Sequence, residues 1–426
     1  MDGRHGKASM SVAERIVDTP ESLQHAVRRL AQAQVIGFDT EFVGEHSFHP
    51  ELCLIQVSTA DHLLLIDPQA CGDLTAFWEL MTNGVVEVVV HAGREEIRQC
   101  IRATGKPPRR CFDVQIAAGL LGLGYPMGHA ALVNQLLGAN LSKSETLTDW
   151  RARPLTEHQI RYAYDDVRFL LPLYYRMKSK LEKLERLDWA AEEFHRLTTI
   201  AADEAPTNLE RWRKVKGTSS LYPRQLAVLR ELFAWRQERA EVLDRPARTL
   251  IRDEIMVDLI KRDPKSVVDL QGMRGLGVAR RDLEGLLAAI ERGRKTPNDQ
   301  WPKSPPKDID PPQLSVLVDF LQVVLGNLAL QMKLSMSLVC TMSDLRYIIK
   351  RAMGESNGTS LMNEGWRARH IRPQLDAVLQ GQYAVRVGKL RSSAPLKIVG
   401  KPELQTKEVL EDTDVMEAYR PDDQNM

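Results

Sequence analysis

Two short stretches hold residues whose types and spacing could do chemistry. In "VIGFDTEFVG", residues 35–44, Asp39 and Glu41 stand two apart within a run of β-branched and aromatic residues. Val35, Ile36, Phe38, Phe42 and Val43 suit a half-buried strand, and side chains alternate faces along a strand, so both carboxylates project the same way. In "PLTEHQIRYAYDDVRFLLPLYY", Thr156 and Gln159 are spaced as a capping box, which starts a helix near Glu157. Tyr162 and Asp166, four apart, then share one face of that helix. Burying like carboxylates side by side is costly unless a cation lies between them. Two readings of the strand are open on these residues alone. Its carboxylates reach solvent at a strand end, or they bind a hard divalent cation such as Mg²⁺ or Mn²⁺, which takes carboxylate oxygens. For the helix, the alternatives are an amphipathic helix with a rim tyrosine and a solvated aspartate, or a second contribution to the same site.

The elements that must position these residues are legible in the surrounding pattern. "VIGFDTEFV", "LCLIQVST", "HLLLIDP" and "VEVVVHA" are short apolar runs bounded by turn or charged residues. The first three follow one another as an antiparallel meander would. Amphipathic segments follow from Glu95, which predicts an α/β domain over 19–205 behind an unstructured leader at 1–18. Ile160, Ala163, Val167 and Leu170 give the Tyr162 helix an apolar stripe, and Pro172 ends or kinks it. Strand signals fade near "IAADEAPTNLERWRKVKGTSS", and helical spacing with Pro and Gly breaks predicts a compact all-helical unit over 213–295. A proline-rich linker at 296–312, a second helical unit at 313–388 and a disordered tail at 389–426 complete the chain. Arg211, Arg213, Lys214 and Lys216 are either phosphate contacts or a solvated linker.

Composition narrows the class. The chain has 426 residues, 43% hydrophobic and 27% charged, with a formal net charge of +1. That excludes a polyanion binder held by global charge, so any grip on nucleic acid must be local. Five cysteines, with no CxxC pair, suggest neither a disulfide framework nor a zinc site and point to a reducing, cytoplasmic compartment. The N-terminus lacks the apolar core of a secretory signal. "LSVLVDFLQVVLGNLALQMKLSMSLV" is broken by Asp319, Gln322, Asn327 and Lys333, so it reads as a core-facing helix and not a membrane span.

Taken in order, these motifs resemble ribonuclease D, within the tyrosine-bearing DEDD exonucleases. "DTEF" matches the family's first motif and "YAYDD" its third, while "LCLIQVS", "HAGREEI" and "KSETLTDW" fall between them in the family's order. Residues around 213–294 resemble the helical domain shared by helicases and ribonuclease D, the HRDC domain. Residues around 313–385 resemble the family's more divergent final helical domain. The resemblance implies a ribonuclease H-like 3′-5′ exonuclease domain of α/β class followed by two small all-α HRDC-like domains. It also implies hydrolysis of RNA from a free 3′ end with release of nucleoside 5′-monophosphates. Two divalent cations, Mg²⁺ or Mn²⁺, would be held by Asp39, Glu41, Asp166 and a fourth acid, with Tyr162 orienting the attacking water.

The family's fourth acid is usually Asp; here "HAGREEI" places Glu96 there, with Glu95 or Asp113 next in line. Lys143, Asp149 and Trp150 would line the RNA 3′ end or brace a loop. His91 reads as a structural histidine, and Asp113 as a helix N-cap or a supporting acid. Transfer-RNA precursors are the family's usual substrates; no membrane and no obligate protein partner is implied. The competing expectations are an RNA-binding adaptor with a weakened metal site, and a DNA 3′-5′ exonuclease.

Overall fold

Alternating β-branched residues in the first hundred positions build a six-stranded mixed sheet. Its strands are β1 (Ala13–Val17), β2 (Val35–Val43), β3 (Glu51–Ser58), β4 (His62–Ile66), β5 (Glu87–Val90) and β6 (Cys111–Asp113), in the order β1-β4-β3-β2-β5-β6. The computed structural model describes residues 12–141, 148–203, 208–303, 310–355 and 358–400. As expected, β2, β3 and β4 form an antiparallel meander. β5 joins β2, and β6 joins β5, in parallel.

The expected leader at 1–18 is corrected at its end. Ala13–Val17 is an edge strand in parallel register with β4, from Ala13 opposite His62 to Val17 opposite Ile66. Only Val17 of its five residues is buried. An "AERIV" strand held by ladder pairing on one side carries no apolar alternation that would announce it.

The two faces of the sheet are packed differently. Ile36, Phe38, Ile55, Val57, Ile66 and Val88 lie in one apolar core with residues of the Pro20–Leu30 and Thr75–Thr82 helices. There Phe38 meets Phe77 and Trp78 with ring centroids 6.1 and 6.2 Å apart. Asp39 and Glu41 lie on the other face. It is crossed by the Glu157–Arg168 and Leu170–Lys183 helices. Gly37 makes that approach possible: a Cβ there would stand 2.2 Å from Ser58 Oγ and 2.9 Å from Leu171 Cδ1. The Tyr162 helix stops at Arg168, and Pro172 falls in the first turn of its successor, where a missing N–H costs little.

Helices Pro223–Val242, Asp253–Arg262 and Leu283–Arg294, with shorter turns between them, close around Leu229, Leu232, Met256, Leu259 and Leu286. Phe48, from the β2–β3 loop, is buried in the same helical core. Its N–H donates to Asp244 Oδ1 at 3.0 Å. The first compact unit therefore contains both the exonuclease sheet and this helical domain. It also takes residues 332–341, where the Ser335 N–H donates to the Gly119 carbonyl at 2.8 Å.

The second unit comprises residues 314–331 and 342 onward. The helix Leu314–Met332 is long and apolar enough by composition to cross a membrane. Leu314, Val318, Leu321, Leu325 and Leu328 are buried along one stripe, as in a core helix. The disordered tail expected at 389–426 is corrected over 389–400, where a strand forms, and its remainder lies outside the described residues. β7 (Tyr383–Val387) and β8 (Leu396–Gly400) pair antiparallel. Buried Asn327 tethers β8: its Nδ2 donates to the Leu396 carbonyl at 3.1 Å, and the Leu396 N–H donates to its Oδ1 at 2.8 Å. A hairpin with little burial of its own gains its order from such long-range contacts, which local pattern does not report. All five cysteines are free.

Candidate active site

Strand β2 presents Asp39 and Glu41 beneath the helix that carries Tyr162 and Asp166. That helix begins where the sequence placed it. Thr156 Oγ1 accepts from the Gln159 N–H at 3.2 Å, and Gln159 Oε1 accepts from the Thr156 N–H at 2.9 Å. A third element, the helix Arg94–Thr104, brings Glu96 in its first turn. Glu96 is buried, and its Oε1 accepts from Thr40 Oγ1 at 2.8 Å. Glu95, one residue earlier, is turned toward Arg98 in an ion pair. Thr40 was not singled out by the sequence reading. The signal was there: a hydroxyl between the two acids of a strand must point to the opposite face, where a buried donor requires an acceptor.

These acids press on one another. Burial first, then Glu96, Asp166 and Glu41, push the Asp39 carboxyl well above the usual carboxylate range. Glu41 is pushed up to about 8 by burial, Asp166 and Glu96. Glu96 is raised to about 7, mainly by burial, and Asp166 to about 7 by burial and neighbouring Asp165. The Tyr162 hydroxyl donates to Asp166, and burial with the surrounding carboxylates raises its own pKa. Two further groups want partners. Asp166 Oδ2 is buried without a hydrogen-bond partner among the described residues, as are both amide atoms of Gln56, directly across from Asp39 in the ladder.

An all-oxygen, acidic donor set with an orphaned carboxylate oxygen fits a hard divalent cation. Among the described residues no three His, Cys, Asp or Glu side chains stand closed into a ready-made cage; the acids are gathered, with Glu96 turned onto Thr40.

The remaining candidates sort themselves. Trp150 is buried, with its ring centroid 6.0 Å from that of Tyr162. It is held by Arg153, which donates to the Trp150 carbonyl at 2.9 Å and the Cys53 carbonyl at 2.7 Å, and pairs with Asp67 at 2.5 Å. Arg153 is a second positioning residue the sequence reading passed over. Asp149 lies at the surface, paired with Arg151 at 2.9 Å. Lys143 lies outside the described residues. His91 Nε2 bonds the Met127 carbonyl at 2.8 Å, a structural role. Asp113 is an N-cap: Oδ1 accepts from the Gln115 and Ile116 N–H groups at 2.8 and 3.1 Å, and Oδ2 from the Gly93 N–H at 2.9 Å. It fixes the turn that launches the Glu96 helix.

This sheet, bearing its acids under a crossing helix and followed by a compact helical domain, is the architecture of a 3′-5′ exonuclease with an HRDC domain. The 3′-5′ exonuclease family profile matches residues 14–182, and the HRDC domain profile residues 225–290. Ribonuclease D of Bartonella henselae is 32% identical over 86% of this chain and 90% of its own length. Ribonuclease D of Pseudomonas paraeruginosa is 35% identical over 71% of this chain and 80% of its own. The crystal structure of Escherichia coli RNase D, described as an exoribonuclease involved in structured RNA processing, superposes with a TM-score of 0.76 at 27% identity, covering 87% of this chain and 99% of that one. The chain belongs to the ribonuclease D family. It is a 3′-5′ exoribonuclease, a hydrolase acting on RNA, in a family that generally uses divalent metals.

Proposed function

We propose that this exoribonuclease uses two divalent cations, Mg²⁺ or Mn²⁺, to remove nucleoside 5′-monophosphates from free RNA 3′ ends, in the 3′ maturation of transfer-RNA precursors in the cytoplasm. The observation that carries the reading is the meeting of Asp39, Glu41, Glu96 and Asp166: Glu96 and Asp166 raise the pKa of both Asp39 and Glu41, while Asp166 Oδ2 stays buried and unpartnered. Bound cations would supply an activated water and stabilise the departing 3′ oxygen. Asp39, Glu41, Asp166 and Glu96 would hold the cations, with Asp39, on which the other three acids all act, central to the set. Tyr162 keeps its proton at neutral pH and therefore orients the attacking water and does not act as a base. Trp150 packs beside the Tyr162 ring and limits where its hydroxyl can go.

Labelled single-stranded RNA tests the reading. Shortening from the 3′ end should appear with Mg²⁺ or Mn²⁺, vanish in EDTA and spare a circular RNA. Undiminished cleavage in EDTA would remove the metal assignment. A transfer-RNA precursor should lose its 3′ trailer and stop near the mature end; digestion straight through would remove that substrate.

Tyr162→Phe deletes one hydroxyl while leaving the acids in place. The expected loss is about 10- to 100-fold in kcat, the worth of one hydrogen bond to a charged group. The pH profile should keep its shape, because Tyr162 does not titrate in the working range. Measuring kcat against pH for both proteins checks this.

Glu96 spans one methylene more than the aspartate usual in the family and is engaged by Thr40, so its metal should be held more loosely. Activity at equal low concentration should be higher in Mn²⁺ than in Mg²⁺, since Mn²⁺ accepts less ideal geometry. Glu96→Asp should narrow that gap, and Glu96→Gln should depress activity in both metals. Titrating each metal against all three proteins decides it. A Glu96→Gln enzyme that behaves as wild type would take Glu96 out of the site.

A further inference from the structure

We propose that the cleft between the β2–β3 loop and the first helical domain receives phosphates of the RNA strand upstream of the reacting 3′ end, so that hydrolysis by this enzyme depends on RNA length. The proposal rests on the exoribonuclease activity and extends it to a second contact region. The cleft has a volume of about 870 Å³ and lies within the first compact unit. The loop Gly44–Pro50 forms one wall. Arg211, Lys214 and Lys216 line the cleft from the 209–216 turn, Arg248 from the helix Ala247–Leu250, and Arg252 from the N-cap of the helix Asp253–Arg262.

A solvated linker would explain exposed cations equally well, but these walls are not a linker. Trp212 and Val215, between the cations, are buried in the helical core, and so is Phe48 of the opposite wall. Both walls are thus fixed by packing, and the cations are presented into a formed cleft.

The charge balance favours an anion. Lys214, Lys216, Arg248 and Arg252 are exposed, and among the described residues none of the four forms an ion pair. The acids that line the cleft are Glu45, Glu254 and Asp253, and Asp253 is already taken by Arg236 at 2.9 Å. In a chain whose net charge is +1, this is a local excess of positive charge. Lys214, Lys216, Arg248 and Arg252, gathered along one cleft without acidic partners among the described residues, suit a polyanion passing through it.

The register fits the catalytic acids. Glu41 and Gly44 are joined by the end of β2, three residues on. At ~3.3 Å per strand residue the step is about 10 Å, or roughly three stacked nucleotides at ~3.4 Å each. An RNA whose 3′ nucleotide lies against Asp39 and Glu41 would bring its upstream phosphates to the cleft; a dinucleotide has one internucleotide phosphate, the one at the acids, and none upstream to offer.

The test compares wild type with the Lys214→Ala/Arg248→Ala double variant on a dinucleotide and on a twelve-nucleotide oligoadenylate, both in Mg²⁺. On the longer RNA, kcat/KM should fall about tenfold or more. Its log–log dependence on salt should lose about two in slope, one for each phosphate contact removed. Hydrolysis of the dinucleotide should be unchanged. The Lys214→Arg/Arg248→Lys variant, which keeps both charges, should behave as wild type on both RNAs. Equal losses on the two RNAs would overturn the proposal, because they would place the damage at the catalytic acids or in the fold. No loss on either would overturn it as well, because the cleft would then take no RNA. Wild-type protein that shortened neither RNA would instead overturn the activity on which the proposal stands.

Discussion

Asp39→Asn should lower RNA hydrolysis by about 10³-fold or more and leave the fold intact. The magnitude follows from what the side chain is asked to do. Glu41, Glu96 and Asp166 all raise the Asp39 carboxyl, so on the two-cation proposal Asp39 would be the central member of the acid set. Replacing its charge with a neutral amide weakens ligation there, and loss of metal-ion catalysis costs several kcal/mol; about 4 kcal/mol corresponds to the stated factor. The fold survives because Asn is nearly isosteric with Asp. The hydrogen bond Asp39 accepts from the Thr40 N–H at 2.9 Å is one an Asn Oδ1 also accepts. Turnover of a labelled RNA, read beside the far-UV circular dichroism of both proteins, checks the pair of claims. Residual activity within tenfold of wild type would show that Asp39 is not central to the set.

Part of this site was open to reading because its elements are locally encoded. A β-branched run with two acids two apart, and a capping box ahead of an i, i+4 Tyr–Asp pair, each dictate their own geometry. β2 formed over the expected span, and the Tyr162 helix began where its capping box placed it but ended at Arg168, four residues before Pro172. The fourth acid was less legible, because "HAGREEI" offers two adjacent glutamates. Helical rotation separates them: Glu96 turns inward to Thr40 and Glu95 outward to Arg98. That separation depends on where the helix begins, which Asp113 fixes by binding the Gly93 N–H from a different strand.

Elements stabilised from a distance were not legible at all. β1 is a charged pentapeptide recruited by β4. β8 is a lysine-bearing strand in what looked like tail, held by one asparagine sixty-nine residues away. Arg153, which braces the Trp150 segment through Asp67 and the Cys53 carbonyl, belongs to the same class. Its partners are some hundred residues earlier, and nothing in its neighbourhood announces them.

The second large effect concerns stability without metal. In the unfolded chain the four acids titrate near their ordinary values, about 4. In the folded chain Glu41 holds its proton to about 8, and Glu96 and Asp166 to about 7. Below pH ~4 the groups are protonated in both states and make no difference. As pH rises from there toward 8, the unfolded state gives up protons that the folded state retains, so stability falls with pH and levels off only beyond the folded pKa values. In EDTA, therefore, Tm should drop between pH 5 and pH 8, by on the order of 5 °C or more. Excess Mg²⁺ should restore most of it at pH 8, since an ion that binds only the folded chain stabilises by mass action and displaces the protons the acids hold. Calorimetric titration at pH 7 in buffers of different ionisation enthalpy should register that proton release. Asp39→Asn removes one buried acid whose own carboxyl is held well above its ordinary range. It should raise Tm in EDTA at pH 8 while shrinking the Mg²⁺ response, the reverse of its effect on turnover. A Tm in EDTA that is flat from pH 5 to pH 8, or a Mg²⁺ response as large in Asp39→Asn as in wild type, would mean that the four carboxylates are not strained against one another and that Asp39 does not hold the ion.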